Sequence, residues 1–174
     1  MSGLALWITG LPGSGKSTVA VALSELYPDF VVLSMDELRM CITQEPTYSE
    51  AERDMVYRCI VYIAKKLTEL DHPVIIDATG HKRRWRDRAR KEITQYAEIY
   101  LSCPLEISME RERLRLDRHG APEDVYRKGE EGWPVPGITV PYEMPLQPEL
   151  EIDTEKKTVQ ETVAAIQQFL LKRL

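Results

Sequence analysis

The 174-residue sequence predicts an α/β protein of three layers, in which helices cover both faces of a parallel β-sheet. Continuously apolar segments of strand length alternate along the chain with segments whose apolar residues recur at helical spacing. The apolar segments lack the polar alternation of a half-exposed strand, so they predict strands buried on both faces. Buried strands separated by helices are typical of parallel sheets.

Five strands and five helices follow from this pattern. The predicted strands cover residues 4–9, 30–33, 73–77, 97–101 and 149–152, and the predicted helices cover 16–27, the segment after Ser49, 83–96, 105–116 and 158–172. Capping boxes are expected at Ser49 with Glu52 and at Thr158 with Glu161. The helix after Ser49 is expected to bury Val56, Ile60, Ile63, Leu67 and Leu70. The length of the chain predicts a single domain over residues 1–174.

A glycine-rich segment joins the first strand to the first helix. It consists of Gly10, Leu11, Pro12, Gly13, Ser14, Gly15, Lys16, Ser17 and Thr18. This spacing is that of a phosphate-binding loop, whose bare amides and helix N-terminus receive an anion. Lys16 can reach the β- and γ-phosphates, and the Ser17 hydroxyl can bind magnesium. The sequence therefore predicts a P-loop NTPase fold that binds a nucleoside triphosphate through these nine residues.

Further polar residues follow the second and third strands, at the sheet edge where ligands of such folds bind. We expect Asp36 to take the proton of an acceptor hydroxyl or to hold magnesium through water, although it could also cap the next helical turn. Arg39, one turn further on, could bind an anionic substrate. Asp77 is expected near the metal or as a cap of its own loop. His81 lies at the same edge, isolated from other metal-ligand residues.

Two basic segments are expected near the substrate. The first turn of the helix that begins at Arg83 could contact a phosphate or sulfate, and a nucleic-acid patch is the weaker interpretation of this helix. A second basic cluster consists of Arg111, Arg113, Arg115 and Arg118. It leads into a segment rich in proline and glycine, and we predict that residues 112–140 form a lid over the phosphates.

The bulk properties limit the partners. The net charge of −5 argues against general attraction to nucleic acid. Three scattered cysteines indicate a reducing cytoplasm. The first apolar segment is too short for a membrane span and predicts a core strand. A homodimer is compatible with the sequence.

Several segments resemble the adenylylsulfate kinases. They are residues 10–18, Tyr126-Arg127-Lys128, Gly137-Ile138, Pro141-Tyr142-Glu143-Met144-Pro145, Pro148-Glu149-Leu150 and Ile152-Asp153-Thr154. The resemblance implies transfer of the γ-phosphoryl group of ATP to the 3′-hydroxyl of adenylyl sulfate, with magnesium. It also implies that Asp36, Arg39, Ser49, Arg53 and Arg58 lie on the substrate side, and we expect Arg83 and Lys128 to bind substrate as well.

The departures from the family pattern lie on the acceptor side. The usual Asp-Gly-Asp is replaced by Ser34-Met35-Asp36, and an asparagine is replaced by Val56. An aromatic residue and a threonine are replaced by Val135-Pro136, and Ile-Ser-Pro is replaced by Thr79-Gly80-His81. The segment 112–124 is also longer than the family's. A kinase of the same fold that phosphorylates a different nucleotide or sugar hydroxyl therefore stays open. A GTP-driven switch is disfavoured because the guanine-specific Asn/Thr-Lys-x-Asp element is absent from the sequence.

Overall fold

The computed structural model describes residues 3–115 and 122–173. Its five strands form one parallel sheet in the order β2-β3-β1-β4-β5. The strands are β1 Leu4–Thr9, β2 Val31–Ser34, β3 Val74–Asp77, β4 Gln95–Ser102 and β5 Leu150–Asp153. The helices are α1 Lys16–Leu26, α2 Met35–Ile42, α3 Glu50–Glu69, α4 Arg83–Glu92, α5 Leu105–Arg113, α6 Val125–Glu130 and α7 Val159–Leu171. The predicted fold class is confirmed.

Successive residues of β1 enter two different hydrophobic cores. Leu6 and Ile8 pack on one face of the sheet with residues of α1 and α7. Ala5 and Trp7 pack on the other face with residues of α3 and α4. All six residues of β1 are buried, which explains why the strand shows no polar alternation.

The order of the strands places a crevice at their carboxyl ends. From β1 the chain passes through α1 to β2 on one side of the sheet, whereas β4 and β5 lie on the other side of β1. A ligand site of an open α/β sheet lies outside the carboxyl ends of the strands, where the strand order reverses. Among the described residues, no helix combines the length and the apolar character needed to cross a bilayer.

Three predicted element boundaries are wrong by more than one residue, and one of them is the end of the helix expected over 105–116, which stops at Arg113. The helix expected over 83–96 ends at Glu92, and β4 begins at Gln95. Tyr96 pairs with Ala5, because β4 has to match β1 along the whole length of the central strand. The segment after β2 forms the helix α2, which is capped by Ser34 rather than by Asp36, since the Ser34 hydroxyl accepts the Glu37 amide hydrogen at 3.4 Å. A short helix, α6, also lies inside the predicted lid.

The buried face of α3 differs from the predicted one at its C-terminal end. Val56 and Ile60 are buried, whereas Leu70 follows the last helical residue and is 69 % exposed. The predicted positions follow a strict seven-residue repeat, and a straight α-helix drifts by about 20° per heptad from such a repeat. Val61 and Ala64 are buried instead.

The two predicted capping boxes have different outcomes. Thr158 and Glu161 form a complete box at α7. Ser49 caps α3 as expected, but the Glu52 side chain turns away and accepts hydrogen bonds from Thr47 and from the Tyr48 amide. The box at Ser49 is therefore only half formed, and the Glu52 carboxylate is left for contacts at the candidate active site.

Candidate active site

A cavity of about 760 Å³ opens at the carboxyl ends of the strands. Its walls come from the phosphate-binding loop, from the starts of α2 and α3 and from the loop after β3. The end of α5, the segment 122–136 and the loop between β5 and α7 complete it. The part of the predicted lid that the structure describes thus contributes to the cavity wall; residues 116–121 of that lid, including Arg118, lie outside the described residues. Closure of a lid over phosphates stays a prediction.

The phosphate-binding loop has the backbone shape that its glycines predict. Gly13 has φ +80°, and a Cβ atom there would lie 2.1 Å from the Ser108 carbonyl oxygen of α5, so only glycine fits. Gly15 precedes α1 with φ +97°, and no side chain caps this helix. The first amides of α1 are therefore available to an anion in the cavity.

Lys16 lies inside this loop. Its Nζ atom donates a hydrogen bond to the Leu11 carbonyl oxygen at 2.9 Å, and the side chain is almost completely buried. Burial lowers the pKa of Lys16 to about 8, while the carboxylates of Asp77 and Asp36 oppose this shift. The loop is also held by the segment predicted as a lid, because the Tyr126 hydroxyl donates to the Pro12 carbonyl oxygen at 2.6 Å.

Two carboxylates face Lys16 across the cavity. Asp36 at the start of α2 and Asp77 at the end of β3 both line it. Burial, followed by the neighbouring charge of Asp77, raises the pKa of Asp36. In the part of the chain that the structure describes, no group donates a hydrogen bond to either carboxylate, so their oxygens are available to a ligand.

The donor set fits a magnesium ion that is shared with a nucleotide. Ser17, Asp36 and Asp77 all line the cavity. Within the described residues, no three His, Cys, Asp or Glu side chains form a group able to hold a metal ion alone. Magnesium in kinases is usually held by one or two carboxylates together with substrate phosphates, and two free carboxylates beside a phosphate-binding loop meet this need.

Arg39 lines the part of the cavity that α2 and α3 form. Its Nη1 atom pairs with the Glu52 carboxylate, and its guanidinium lies over the Tyr48 ring, 4.6 Å from the ring centroid. Glu52 also accepts from the Tyr48 amide at 3.1 Å, and Tyr48 has φ +55°, an uncommon backbone conformation for a tyrosine. Glu52 therefore fixes both Arg39 and the ring that covers it.

Arg53 carries a buried positive charge with no carboxylate partner among the described residues. The side chain of this residue, which is 8 % exposed, donates to the Pro134 carbonyl oxygen and contacts the His81 ring. The Nε atoms of Arg53 and Arg39 are both buried without a hydrogen-bond partner. Burial of a cation without a counter-ion is costly, so this part of the cavity suits an anion.

Most of the predicted site residues lie together. Those lining the cavity are Pro12, Gly13, Ser14, Gly15, Lys16, Ser17, Thr18, Asp36, Arg39, Arg53, Asp77 and Lys128. Gly10 and Leu11 belong to the loop but do not line the cavity. Arg58 is exposed on the outer face of α3, and Arg83 donates through Nε to the Met144 carbonyl oxygen. The structure does not bring Arg58 and Arg83 to the cavity.

An aromatic pair at the cavity wall is not predictable from the sequence pattern. The rings of Tyr48 and Trp133 lie 5.4 Å apart between centroids, and Lys128 Nζ is 5.0 Å from the Trp133 ring centroid. The two aromatic residues are separated by more than eighty positions, so no local spacing connects them. The excess of proline around Trp133 was the available signal, and it indicated only a loop.

The parallel sheet and the phosphate-binding loop give the chain the fold of the P-loop NTPases. The model of one family, adenylylsulphate kinase, matches residues 2–153, and the chain belongs to this family. The adenylyl-sulfate kinase of Rippkaea orientalis is 33 % identical over 174 residues, covering 97 % of this chain and 91 % of the relative. The family expected from the sequence is confirmed.

Two further comparisons agree. The APS kinase CysC of Mycobacterium tuberculosis, solved in complex with AMPPNP and APS, has a TM-score of 0.82 and 26 % identity. The alignment covers 97 % of this chain and 98 % of that one. A probable bifunctional SAT/APS kinase 2 of Sorangium cellulosum is 34 % identical over 95 % of this chain, which spans only 28 % of that longer protein.

Proposed function

We propose that this protein is an adenylyl-sulfate kinase, which transfers the γ-phosphoryl group of ATP to the 3′-hydroxyl of adenylyl sulfate. Family membership supports the reaction. The observation that carries the choice of acceptor is the buried Arg53, which has no carboxylate partner among the described residues. A neutral sugar would leave its charge uncompensated, whereas the phosphosulfate group of adenylyl sulfate supplies the missing counter-ion.

Different residues of the cavity bind ATP, magnesium and the acceptor in this proposal. Lys16 and the amides of the loop hold the β- and γ-phosphates, and Lys16 exchanges its bond to the Leu11 carbonyl for a phosphate oxygen. Ser17 and Asp77 would hold magnesium, which would supply positive charge beside the transferring phosphoryl group. Arg39, Arg53 and Lys128 bind the acceptor. Neither Arg58 nor Arg83 has this role in our proposal.

Asp36 acts as the general base. The 3′-oxygen of the acceptor bonds to the γ-phosphorus, the bond from that phosphorus to the leaving oxygen of ADP breaks, and the hydroxyl proton passes to Asp36. Burial and Asp77 raise the pKa of the Asp36 carboxyl, which makes its ionised form a stronger base. The surrounding cations, Arg39 and Lys16, keep the ionised form accessible.

We further propose a cytoplasmic location and a homodimer. Cys41, Cys59 and Cys103 are all free, as expected in a reducing compartment. The homodimer rests on the sequence expectation alone, and sedimentation velocity of the purified protein tests it.

A second candidate function is phosphorylation of another nucleotide or sugar hydroxyl. It is favoured by the loop after β3, where Thr79 and His81 line the cavity in place of the family's Ile-Ser-Pro. This candidate keeps the ATP side of the site and changes only the acceptor. An assay with several acceptors distinguishes the two functions.

The assay measures ATP-dependent product formation from adenylyl sulfate and from a panel of nucleotides, gluconate and sugar alcohols. We expect 3′-phosphoadenylyl sulfate by mass spectrometry, no product with Lys16→Ala, and unchanged turnover with Lys66→Ala. Lys66 is an exposed lysine of α3 that pairs with Glu69, so it serves as the matched control. A higher kcat/KM on any other acceptor would replace the first function by the second.

A further inference from the structure

His81 ends a column of aromatic rings that runs from the sheet to the cavity. Tyr57 stacks between Trp7 and Trp85, with centroid distances of 6.0 and 4.0 Å, and His81 meets Trp85 edge to face at 4.9 Å. The His81 side chain is only 4 % exposed, yet it lines the cavity. The column fixes the plane of the imidazole ring, and the ring has little freedom to turn.

The two nitrogens of the His81 ring share a single hydrogen-bond partner. Nδ1 and Nε2 of His81 lie 3.2 and 3.3 Å from the same atom, Arg53 Nη1. A guanidinium can only donate, and a neutral imidazole has one accepting nitrogen and one N–H group. Whichever nitrogen carries the hydrogen, that N–H has no acceptor among the described residues.

The ring is held neutral by its surroundings. Burial, followed by the charges of Arg53, Lys82 and Arg86, lowers the pKa of His81 to about 3, and only Glu50 opposes the shift. His81 therefore adds no charge to the cavity at neutral pH. It offers one lone pair to Arg53 and one N–H bond to a ligand.

We propose that His81 determines acceptor specificity by donating its unpaired N–H to a phosphosulfate oxygen of the acceptor, next to the cation of Arg53. The assignment rests on the proposed function and deepens it. The two side chains form one unit, in which the imidazole lone pair orients Arg53 Nη1 and the imidazole N–H is left for the anionic group. Acceptors without an oxyanion at this place leave both the His81 ring N–H and the Arg53 charge unsatisfied, which is the basis of the discrimination.

The experiment compares His81→Phe with the wild-type enzyme in steady-state kinetics. Phenylalanine keeps a flat ring against Trp85 and lacks both nitrogens. We expect the KM for adenylyl sulfate to rise at least about tenfold, as for a lost hydrogen bond to a charged group, with the KM for ATP unchanged within about twofold. His81→Asn, which keeps a donor and an acceptor, is expected to restore the KM for adenylyl sulfate to within about fivefold of wild type.

His72→Phe is the matched control, because His72 is exposed and precedes β3 at the end of the sheet away from the cavity. It is expected to leave both KM values unchanged. A direct readout on the unaltered protein is the ¹⁵N-coupled signal of the His81 ring N–H. We expect that signal to move downfield and its exchange with water to slow when adenylyl sulfate is added in the presence of Mg-ADP.

The outcomes separate the two proposals. A wild-type enzyme that fails to phosphorylate adenylyl sulfate overturns the proposed function and the His81 assignment with it. Turnover by the wild type, together with an unchanged KM in His81→Phe, overturns the His81 assignment alone. If His81→Phe does not fold, a ring N–H signal that is indifferent to adenylyl sulfate overturns the assignment.

Discussion

Asp36 is subject to opposing electrostatic influences. Burial and the nearby Asp77 favour its neutral form, whereas Arg39, Lys16 and Arg115 favour the carboxylate. A group balanced in this way changes its protonation at little cost, which suits a residue that takes a proton during the reaction. The balance depends on neighbours from the phosphate-binding loop and from β3, and therefore on the folded site as a whole.

Asp36→Ala is expected to lower kcat by about 10²–10⁴-fold, the usual contribution of a positioned general base. The KM for ATP is expected to change little, because the alanine leaves the phosphate-binding loop and Lys16 in place. Steady-state kinetics with adenylyl sulfate as the varied substrate measure both parameters. Glu37→Ala is the control, since the Glu37 side chain is exposed and only its amide caps α2. A near-normal kcat for Asp36→Ala would show that another group accepts the proton.

Individual site residues could be predicted from the sequence where their spacing is local. The phosphate-binding loop is one continuous segment. The roles of its glycines, Lys16 and Ser17 follow from their residue types and their spacing. Arg53 and Arg58 looked alike in the sequence, but their five-residue separation places them on different faces of α3, and only Arg53 faces the cavity. The contacts of Arg53 with Pro134 and His81 join residues far apart in the chain, so no local pattern predicts them.

The segment 141–145, which we call the strap, follows the predicted lid and ties three segments together. The Tyr142 hydroxyl lies 2.8 Å from Thr9 Oγ1 at the end of β1. The Glu143 amide donates to the His81 carbonyl oxygen at 2.8 Å, and its carboxylate accepts the first amide of α4, that of Arg83, at 2.7 Å. The strap therefore fixes the loop after β3 against the starts of both α4 and the phosphate-binding loop.

Arg86 of α4 connects the strap to β4 and to the loop after β3. The side chain is completely buried, with Nε 2.6 Å from Glu98 Oε1 of β4. Its two terminal nitrogens donate to the carbonyl oxygens of Gly80 and Glu143. A single guanidinium thus forms an ion pair with one carboxylate and donates hydrogen bonds to two backbone carbonyls, and these three groups belong to three different segments.

Arg86→Met is expected to lower the free energy of unfolding by about 3–5 kcal/mol, because it removes one partner of a buried ion pair and leaves two carbonyls without their donor. Glu98 then keeps only the half-exposed Arg90 as an ionic partner. Urea unfolding followed by circular dichroism measures the loss. Arg88→Met is the matched control on the same helix, where the exposed Arg88 pairs with Glu92, and its effect is expected to stay below about 1 kcal/mol.

The double variant Arg86→Met with Glu98→Leu tests the cause of that loss. If the penalty comes mainly from the uncompensated Glu98 charge, the double variant recovers part of the stability. Arg90, which also contacts Glu98 at 3.2 Å, keeps its second partner, Glu149. A double variant less stable than Arg86→Met would contradict the expected origin of the loss.

At the level of elements, the existence of the strands was easier to predict than their ends. Each strand is apolar because helices cover both faces, and that composition is visible in the sequence. The start of β4 depends on the register with β1, which is a tertiary property. The helix α2 is only eight residues long, and it is defined by the Ser34 cap rather than by a long apolar stripe.

The molecule as a whole is acidic, with a net charge of −5, yet its cavity concentrates cations on the side that we propose binds the acceptor. Arg53 and Arg39 lie there, and Lys16 faces them from the phosphate-binding loop. His81 has to stay uncharged among these groups. His81 can take up a proton in the unfolded chain but not in the folded site. The free energy of unfolding therefore depends on pH through this residue.

The linkage has a definite sign. The pKa of His81 is about 3 in the folded protein against an ordinary value of 6.5, so below pH 6.5 the unfolded chain binds a proton that the folded chain refuses. The free energy of unfolding therefore falls as the pH decreases from 6.5 towards 3. From pH 7 to pH 5 this single group is expected to cost about 2 kcal/mol. Carboxylates also titrate over the lower part of this range, and a comparison with His81→Phe removes their common contribution.

We expect the loss of unfolding free energy between pH 7 and pH 5 to be about 2 kcal/mol smaller in His81→Phe than in the wild type. Urea unfolding at both pH values measures the difference, and comparing each protein with itself cancels any direct effect of the substitution on packing. His72→Phe, which replaces an exposed histidine, is expected to retain the wild-type pH dependence. Equal losses in the wild type and His81→Phe would mean that His81 titrates normally in the folded state, and that the cations around it do not exclude its proton.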